Sequence, residues 1–350
     1  MIKIRDATRS DNEDLLLLTS VTPMSGEISI RSDRYPDFFR LLDQRGSNRV
    51  LVAEEKGRIV GCVSAASLEA HVDSQPEFVH YLGDLKTHPD YQNTGLAVRL
   101  LKAMRHRLAA AGADLVVSTA AYGNKNVRPF FDGRAGLPPA QALGIFWVYQ
   151  ILPTRRRRMP TAYKVQEEPE CPDLYQLYND HFRRYQFGPV FRPGSLHGAR
   201  HWVARSGSDI QAALALIDVG QARQNVLIRL PIFLGALVSF FRFVLRIVPI
   251  ANLPDKNEPI RTLYIKALAC REGREDALDF LIQKARNVAF EDGYHFLAIG
   301  VHEKDPMKQR LAKYPKFSFK SLGFVVSLKR GKDELWRLGQ AVPYEDYSLV

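Results

Sequence analysis

The chain has 350 residues, of which 46% are hydrophobic and 25% charged, with a formal net charge of +11. That length suits about two domains and that composition a soluble globular protein. Its three cysteines, Cys62, Cys171 and Cys270, lie far apart with no C-x-x-C pair, which excludes a disulfide framework and a thiolate zinc site.

The opening MIKIRDATRSDNED mixes charged and apolar residues and holds no signal-peptide core, so a cytoplasmic location is expected. Ile2 to Ala7 reads as a strand and Asp11 to Thr19 as a helix. Arg49 to Glu55 and Arg58 to Ser67 carry period-two apolar residues around Lys56-Gly57, the pattern of a hairpin. An apolar run from Phe78 to Leu85 then ends at a turn marked by His88-Pro89. Gln92, Gly95 and Ala97 follow with the spacing Q-x-x-G-x-A. Leu96, Leu100, Leu101, Met104 and Leu108 continue at helical spacing until Gly112, and Ala113 to Thr119 reads as the next strand. A strand feeding a glycine-bearing turn that opens a helix leaves consecutive N–H groups free at the positive end of the helix dipole. Small residues at 95 and 97 let an anion approach that backbone closely, as a pyrophosphate requires.

The dense basic run Arg155 to Arg158, set between Pro153 and Pro160, marks a linker over residues 154–160. It serves either as a solvated hinge or as an anion contact. No interleaved aromatic residues accompany it, so nucleic acid is not an expected partner. Beyond it, Tyr163 and Val165 alternate, Asp173 to Tyr185 has a helical pattern and Ile210 to Val219 reads as a buried strand. Arg261 to Cys270 is a further strand, Glu275 to Asp292 an amphipathic helix, and His295 to Val301 and Ser321 to Leu328 two more strands. Val226 to Ile250 is the most hydrophobic stretch. Arg229, Arg242 and Arg246 interrupt it, and its uninterrupted part is too short to span a membrane. Three readings of it compete: an interdomain or dimer helix, an acyl-chain or lipid-facing surface, and an ordinary core helix. A peripheral membrane contact is not favoured. His197 and His201 stand four apart, a ligand spacing on a helix, but no third ligand accompanies them and no metal is expected.

The stretch DLKTHPDYQNTGLA, residues 84–97, resembles motif A of the GNAT N-acetyltransferase family, and the order of elements over about residues 2–152 is similar to that family's. The resemblance implies an α/β fold, a mixed sheet flanked by helices, in residues 1–153. The later elements recur in order over residues 161–330, which suggests a second GNAT-like domain followed by a tail, 331–350. There Cys270-Arg-Glu-Gly273-Arg-Glu-Asp lacks the Q-x-x-G-x-A spacing and puts acids where a pyrophosphate would sit, so only the first domain is expected to bind coenzyme A.

Carried over residue by residue, the family pattern gives the pantetheine arm and thioester to the backbone of Leu85, Lys86 and Thr87. The pyrophosphate falls to Gln92, Asn93, Thr94, Gly95, Leu96 and Ala97, and Asn124 matches the start of the family's N-x-x-A-x-x-F-Y segment. Phe131 stands where that segment's proton-donating tyrosine is expected. The implied reaction is direct attack of a primary amine on acetyl-CoA, with Tyr81, Asp84 and Glu27 as candidate catalytic groups. Tyr81 and Asp84 are three apart on a strand and should face opposite ways; Asp84 is either a structural ion-pair partner or a base. The alternatives are a non-catalytic coenzyme-A-responsive assembly protein and a longer-chain N-acyltransferase. A homodimer is compatible with each.

Overall fold

The computed structural model describes residues 1–22, 29–124, 133, 136–154, 163–229 and 258–350. The first half contains β1 (Lys3–Asp6), α1 (Asn12–Val21), β2 (Ser29–Asp33), α2 (Arg40–Arg45), β3 (Ser47–Glu55), β4 (Arg58–Val72), β5 (Gln75–Thr87), α3 (Leu96–Ala110), β6 (Leu115–Ala121) and β7 (Gln141–Ile151). The second contains β8 (Lys164–Glu168), α4 (Pro172–Phe182), β9 (Gly188–Pro189), β10 (Arg200–Ser206), β11 (Asp209–Asp218), β12 (Gln224–Arg229) and β13 (Pro259–Ile260). It continues with β14 (Thr262–Cys270), α5 (Asp276–Glu291), β15 (Phe296–His302), α6 (Met307–Leu311), β16 (Lys316–Ser327) and α7 (Lys332–Leu338).

Local chemistry accounts for the elements that position the site. Lys56 and Gly57 both take left-handed φ, 50° and 77°, so β3 and β4 join through a tight turn whose twist suits a hairpin. In α3 the residues at helical spacing, Leu96, Leu100, Leu101, Met104 and Leu108, are all buried, against Leu51, Ala53, Val63 and Ala65 of β3 and β4. Every residue of β14 is buried, which explains its nearly unbroken apolar sequence TLYIKALAC.

The main sheet runs in the order β1-β3-β4-β5-β6-β16-β7-β15-β14-β11-β10-β8 with β9 beside β4, and β13, β12 and β2 form a separate three-stranded sheet. The main sheet has an internal symmetry. In each half an antiparallel series leads to one parallel pair bridged by a helix, β5-α3-β6 and β14-α5-β15, the crossover that a parallel pair requires. The two half-sheets meet at β16 and β7. Residues 316–327 lie between β6 and β7, while β7 of the first half pairs with β15 of the second. Each half-sheet is therefore completed by a strand from the other, although the sequence suggests separate units with bounds at 153 and 161.

Three further expectations differ from the structure. Residues 331–350, expected as a tail, form α7 and then a buried strap, described below. The apolar stretch from Val226 begins as strand β12, paired with β2; residues 230–257 lie outside the described residues, as does most of the basic linker. His201 sits on strand β10, so its spacing from His197 is not that of a helix face. Among the described residues no helix is long and apolar enough to cross a membrane, and no His, Cys, Asp and Glu cluster could hold a metal.

Candidate functional site

The turn between β5 and α3 is built by two left-handed residues, Asn93 at φ 61° and Gly95 at φ 80°. The Thr94 hydroxyl donates to the Tyr91 carbonyl at 2.7 Å and fixes the turn. Gly95 is the N-cap of α3, and its carbonyl accepts from the Arg99 N–H at 3.1 Å. The amides before Arg99, in the first turn of the helix, therefore have no partner within it. Among the described residues, a Cβ built on Gly95 would meet no atom within 4 Å, so the space above this turn is open. The arrangement is an anion cradle: amides free of intrahelical partners, a helix N-terminus and, among the described residues, no side chain over Gly95.

Beside the cradle the sheet opens. β5 and β6 pair in parallel only from Val79 with Leu115 to Tyr81 with Val117, and then part. Just beyond, the Ser118 hydroxyl donates to the Leu82 carbonyl at 2.9 Å in place of a backbone bond. The His88 N–H donates to the Val60 carbonyl of β4 at 2.9 Å. By strand alternation, Leu85 and Thr87 then present their backbone groups to the opening. A V-shaped slot with a free strand edge thus runs from the cradle into the molecule.

The slot ends at Tyr81, whose hydroxyl shares a 2.8 Å hydrogen bond with the Thr119 hydroxyl. Burial pushes the Tyr81 phenol up to about 12, so it stays protonated at neutral pH. The Arg45 guanidinium lies 3.5 Å from the centre of the Tyr81 ring and donates to the Glu345 carboxylate at 2.9 Å. Asp84 stands close by. Its carboxylate accepts from Arg34 at 2.7 Å and from the Ser64 hydroxyl at 2.8 Å, and the Arg34–Asp84 pair is nearly sealed from solvent. Asp84 has φ 49° at a bulge where the β4–β5 register shifts. The extra residue resets the alternation, so Tyr81 and Asp84 face the same side of the sheet, the side of α1 and α2. This overturns the opposite-face expectation and makes Asp84 an anchored ion-pair partner.

The residues after α7 form the far wall. Tyr344 N–H donates to the Gln186 carbonyl at 2.8 Å, and the Tyr344 hydroxyl to the Lys266 carbonyl at 2.9 Å. Asp346 pairs with Lys266 at 3.0 Å and accepts two bonds from Ser348. Tyr347 bonds Ser321 and packs so closely on Gly300 that a Cβ there would lie 2.0 Å from its ring. Glu345 and Asp346 therefore tie this strap to both halves, one to Arg45 and the other to Lys266. Between strap and sheet lies a groove of about 450 Å³, lined among others by Arg45, Glu69, Val79, Val117, Arg192 and Glu345. Its wall includes Val117, the partner of Tyr81 in the last β5–β6 pair before the strands part.

The second half repeats the geometry without the cradle. β14 and β15 pair from Thr262 to Tyr264 and then part, and Arg223 lies 5.3 Å from the Tyr264 ring centre, as Arg45 does over Tyr81. At the start of α5, however, Glu275 accepts from the Gly273 N–H at 3.2 Å, and Asp276 accepts from Tyr163. Acidic side chains occupy the place that an anion would take. Of the residues expected from sequence, the structure brings Leu85, Lys86, Thr87 and residues 92–97 together along one slot, with Tyr81 and Asp84 at its inner end. Asn124 follows β6, its N–H bonded to the Ala121 carbonyl. Glu27 and Phe131 lie outside the described residues. Arg45, Thr119 and Glu345 were missed by sequence reading, because each reaches the site through a distant pairing and none belongs to a local motif.

Residues 18–136 match the model of the acetyltransferase (GNAT) family. Over those residues the chain is similar to GNAT domains. This match places the protein among acyltransferases, and no curated protein sequence matches it. Solved structures extend the fold likeness to both halves. N-myristoyltransferase from Saccharomyces cerevisiae with bound myristoyl-CoA superposes with a TM-score of 0.62 at 11% identity, covering 93% of this chain and 82% of that one. A probable N-acyltransferase from Enterococcus faecalis gives 0.54 at 9% identity, over 92% of this chain and 72% of the other. A GCN5-related N-acetyltransferase from Anabaena variabilis gives 0.55 at 10% identity, with 93% and 72% covered. At these identities the likeness concerns the fold: two GNAT-like units in a mixed α/β architecture.

Proposed function

We propose that the protein transfers an acetyl group from acetyl-CoA to a primary amine, with the donor in the slot of the first half and the acceptor in the groove. The observation that carries this reading is the parting of β5 and β6 directly beside the left-handed turn at the start of α3. The turn suits a pyrophosphate, and the free edge at Leu85 and Thr87 suits the amide-bearing pantetheine arm as an added strand. The thioester then reaches the inner end of the slot, where the protonated Tyr81 hydroxyl is positioned to hydrogen-bond the charge that develops on the carbonyl oxygen. The acceptor amine enters from the groove and attacks the thioester carbon directly.

The Tyr81–Thr119 bond and Arg45 at the inner end of the slot support a short acyl group. A second reading, transfer of a longer chain, draws on the apolar stretch from Val226 to Ile250 and on the structural likeness to an enzyme that binds myristoyl-CoA. One experiment tests both. Thiol release from acetyl-, octanoyl- and palmitoyl-CoA is followed with a panel of primary amines, alongside the thermal shift with each donor. Acetyl-CoA is expected to raise the unfolding temperature and to turn over fastest. Faster release from the long-chain donors selects the second reading, and no shift with any donor at millimolar concentration defeats both.

A further inference from the structure

The groove contains three carboxylates, and their partners set them apart. Glu69 is clamped by both arms of Arg192 at its exposed rim. Asp346 accepts from Lys266 and twice from Ser348; burial opposes its charge, but those donors prevail and hold it below the usual carboxylate range. Glu345 accepts from one arm of Arg45 and lines the groove beside it. Through Arg45 it is one contact from the ring of Tyr81, where the sheet parts. We propose that Glu345 is the base that takes the proton from the acceptor ammonium, an assignment that rests on the amine-acylation reading above.

The charged and titratable groups around it are Arg45 of α2, Tyr81 of β5, Lys266 of β14 acting through Asp346, and Tyr344, Asp346 and Tyr347 of the strap itself. Burial raises the Glu345 carboxyl above its ordinary value, and the Arg45 contact offsets that only in part. A base moved towards neutrality is better matched to an ammonium than the firmly ionised Asp346. In the reaction, the ammonium gives one proton to Glu345, the N–C bond forms and the C–S bond breaks. The second nitrogen proton ends on the departing thiolate by way of solvent, and Glu345 returns its own proton to water through the groove. Amide, free thiol and one released proton close the balance.

The test compares the parent protein with Glu345→Gln, which keeps the shape and the acceptor oxygen for Arg45. Glu345→Gln should lose at least about 100-fold in kcat/KM for the amine at neutral pH and lose the acidic limb of the pH profile. The thermal shift with coenzyme A should be unchanged. Glu345→Asp keeps a carboxylate on a shorter arm and should retain the acidic limb at a reduced rate, which guards against a Gln variant that folds poorly. Equal kcat/KM with the limb intact in Glu345→Gln, or loss of the limb in Glu345→Asp, overturns the assignment alone. Absence of transfer by the parent with every donor overturns the underlying reading and the assignment with it.

Discussion

Asp84 owes its place to one backbone angle. On a regular strand it would point away from Tyr81, towards α3; at φ 49° it points instead to Arg34 and Ser64 beneath α1 and α2. The ion pair is buried on both sides, so removing the charge from one partner leaves an unpaired guanidinium in a dry site. Asp84→Asn should therefore lower stability by about 3 kcal/mol, read from denaturant unfolding. The remaining activity per folded molecule should fall much less than in Glu345→Gln. An Asn variant of parental stability with turnover abolished would instead make Asp84 part of the chemistry. The bulge was not legible in the sequence, because DLKT gives no cue to a left-handed non-glycine residue.

At the scale of elements, the β5–turn–α3 unit was the most legible part of the chain. Its apolar run, proline turn, glycine and helical stripe are all local, and the helix begins at Leu96 as the spacing requires. Gly95→Val tests what the turn does. A β-branched residue at φ 80° adds strain of about 1–3 kcal/mol and places methyl groups over the open amides. The expected result is a lower unfolding temperature together with loss of the thermal shift given by coenzyme A. If only the first occurs, the turn holds the helix but not the donor. The strap was the least legible element. Tyr344, Tyr347 and Leu349 are interspersed with charges, so no period of 2 or 3.6 appears, and its partners Arg45, Gln186, Lys266 and Ser321 come from four distant places.

On the scale of the whole molecule, four histidines are nearly sealed from solvent: His71, His181, His201 and His302. Burial depresses each of them, aided by Arg183 at His71 and by Arg184 at His181, which falls to about 4. The folded state thus holds them neutral, whereas the unfolded chain binds protons near the ordinary imidazole value. Their stabilising effect is complete above about pH 6.5 and is lost as pH falls below it, for His181 down to about 4. Each histidine that stays neutral steepens the loss by up to about 1.4 kcal/mol per pH unit. Denaturant midpoints measured from pH 7.5 to 4.5 should fall most steeply below 6.5. A flat profile would mean that the rings take up protons in place. The sequence lists these histidines, but their burial follows from contacts between distant elements, β4 with β9, α4 with β14, β10 with β11 and β15 with β7, which no local pattern encodes.

The strand exchange at β16 and β7 also bears on how the protein is made. A ribosome delivers β6 and β7 early and then synthesises roughly 160 residues before Lys316 emerges, about 10–30 s at ordinary elongation rates. Throughout that interval, β16, the strand that will lie between β6 and β7, does not exist, and the nascent first half presents two unpaired apolar edges. The half that carries the slot therefore waits on β16, translated long after β7. Its closure awaits residues 316–327, and a nascent-chain chaperone has its longest opportunity on this half.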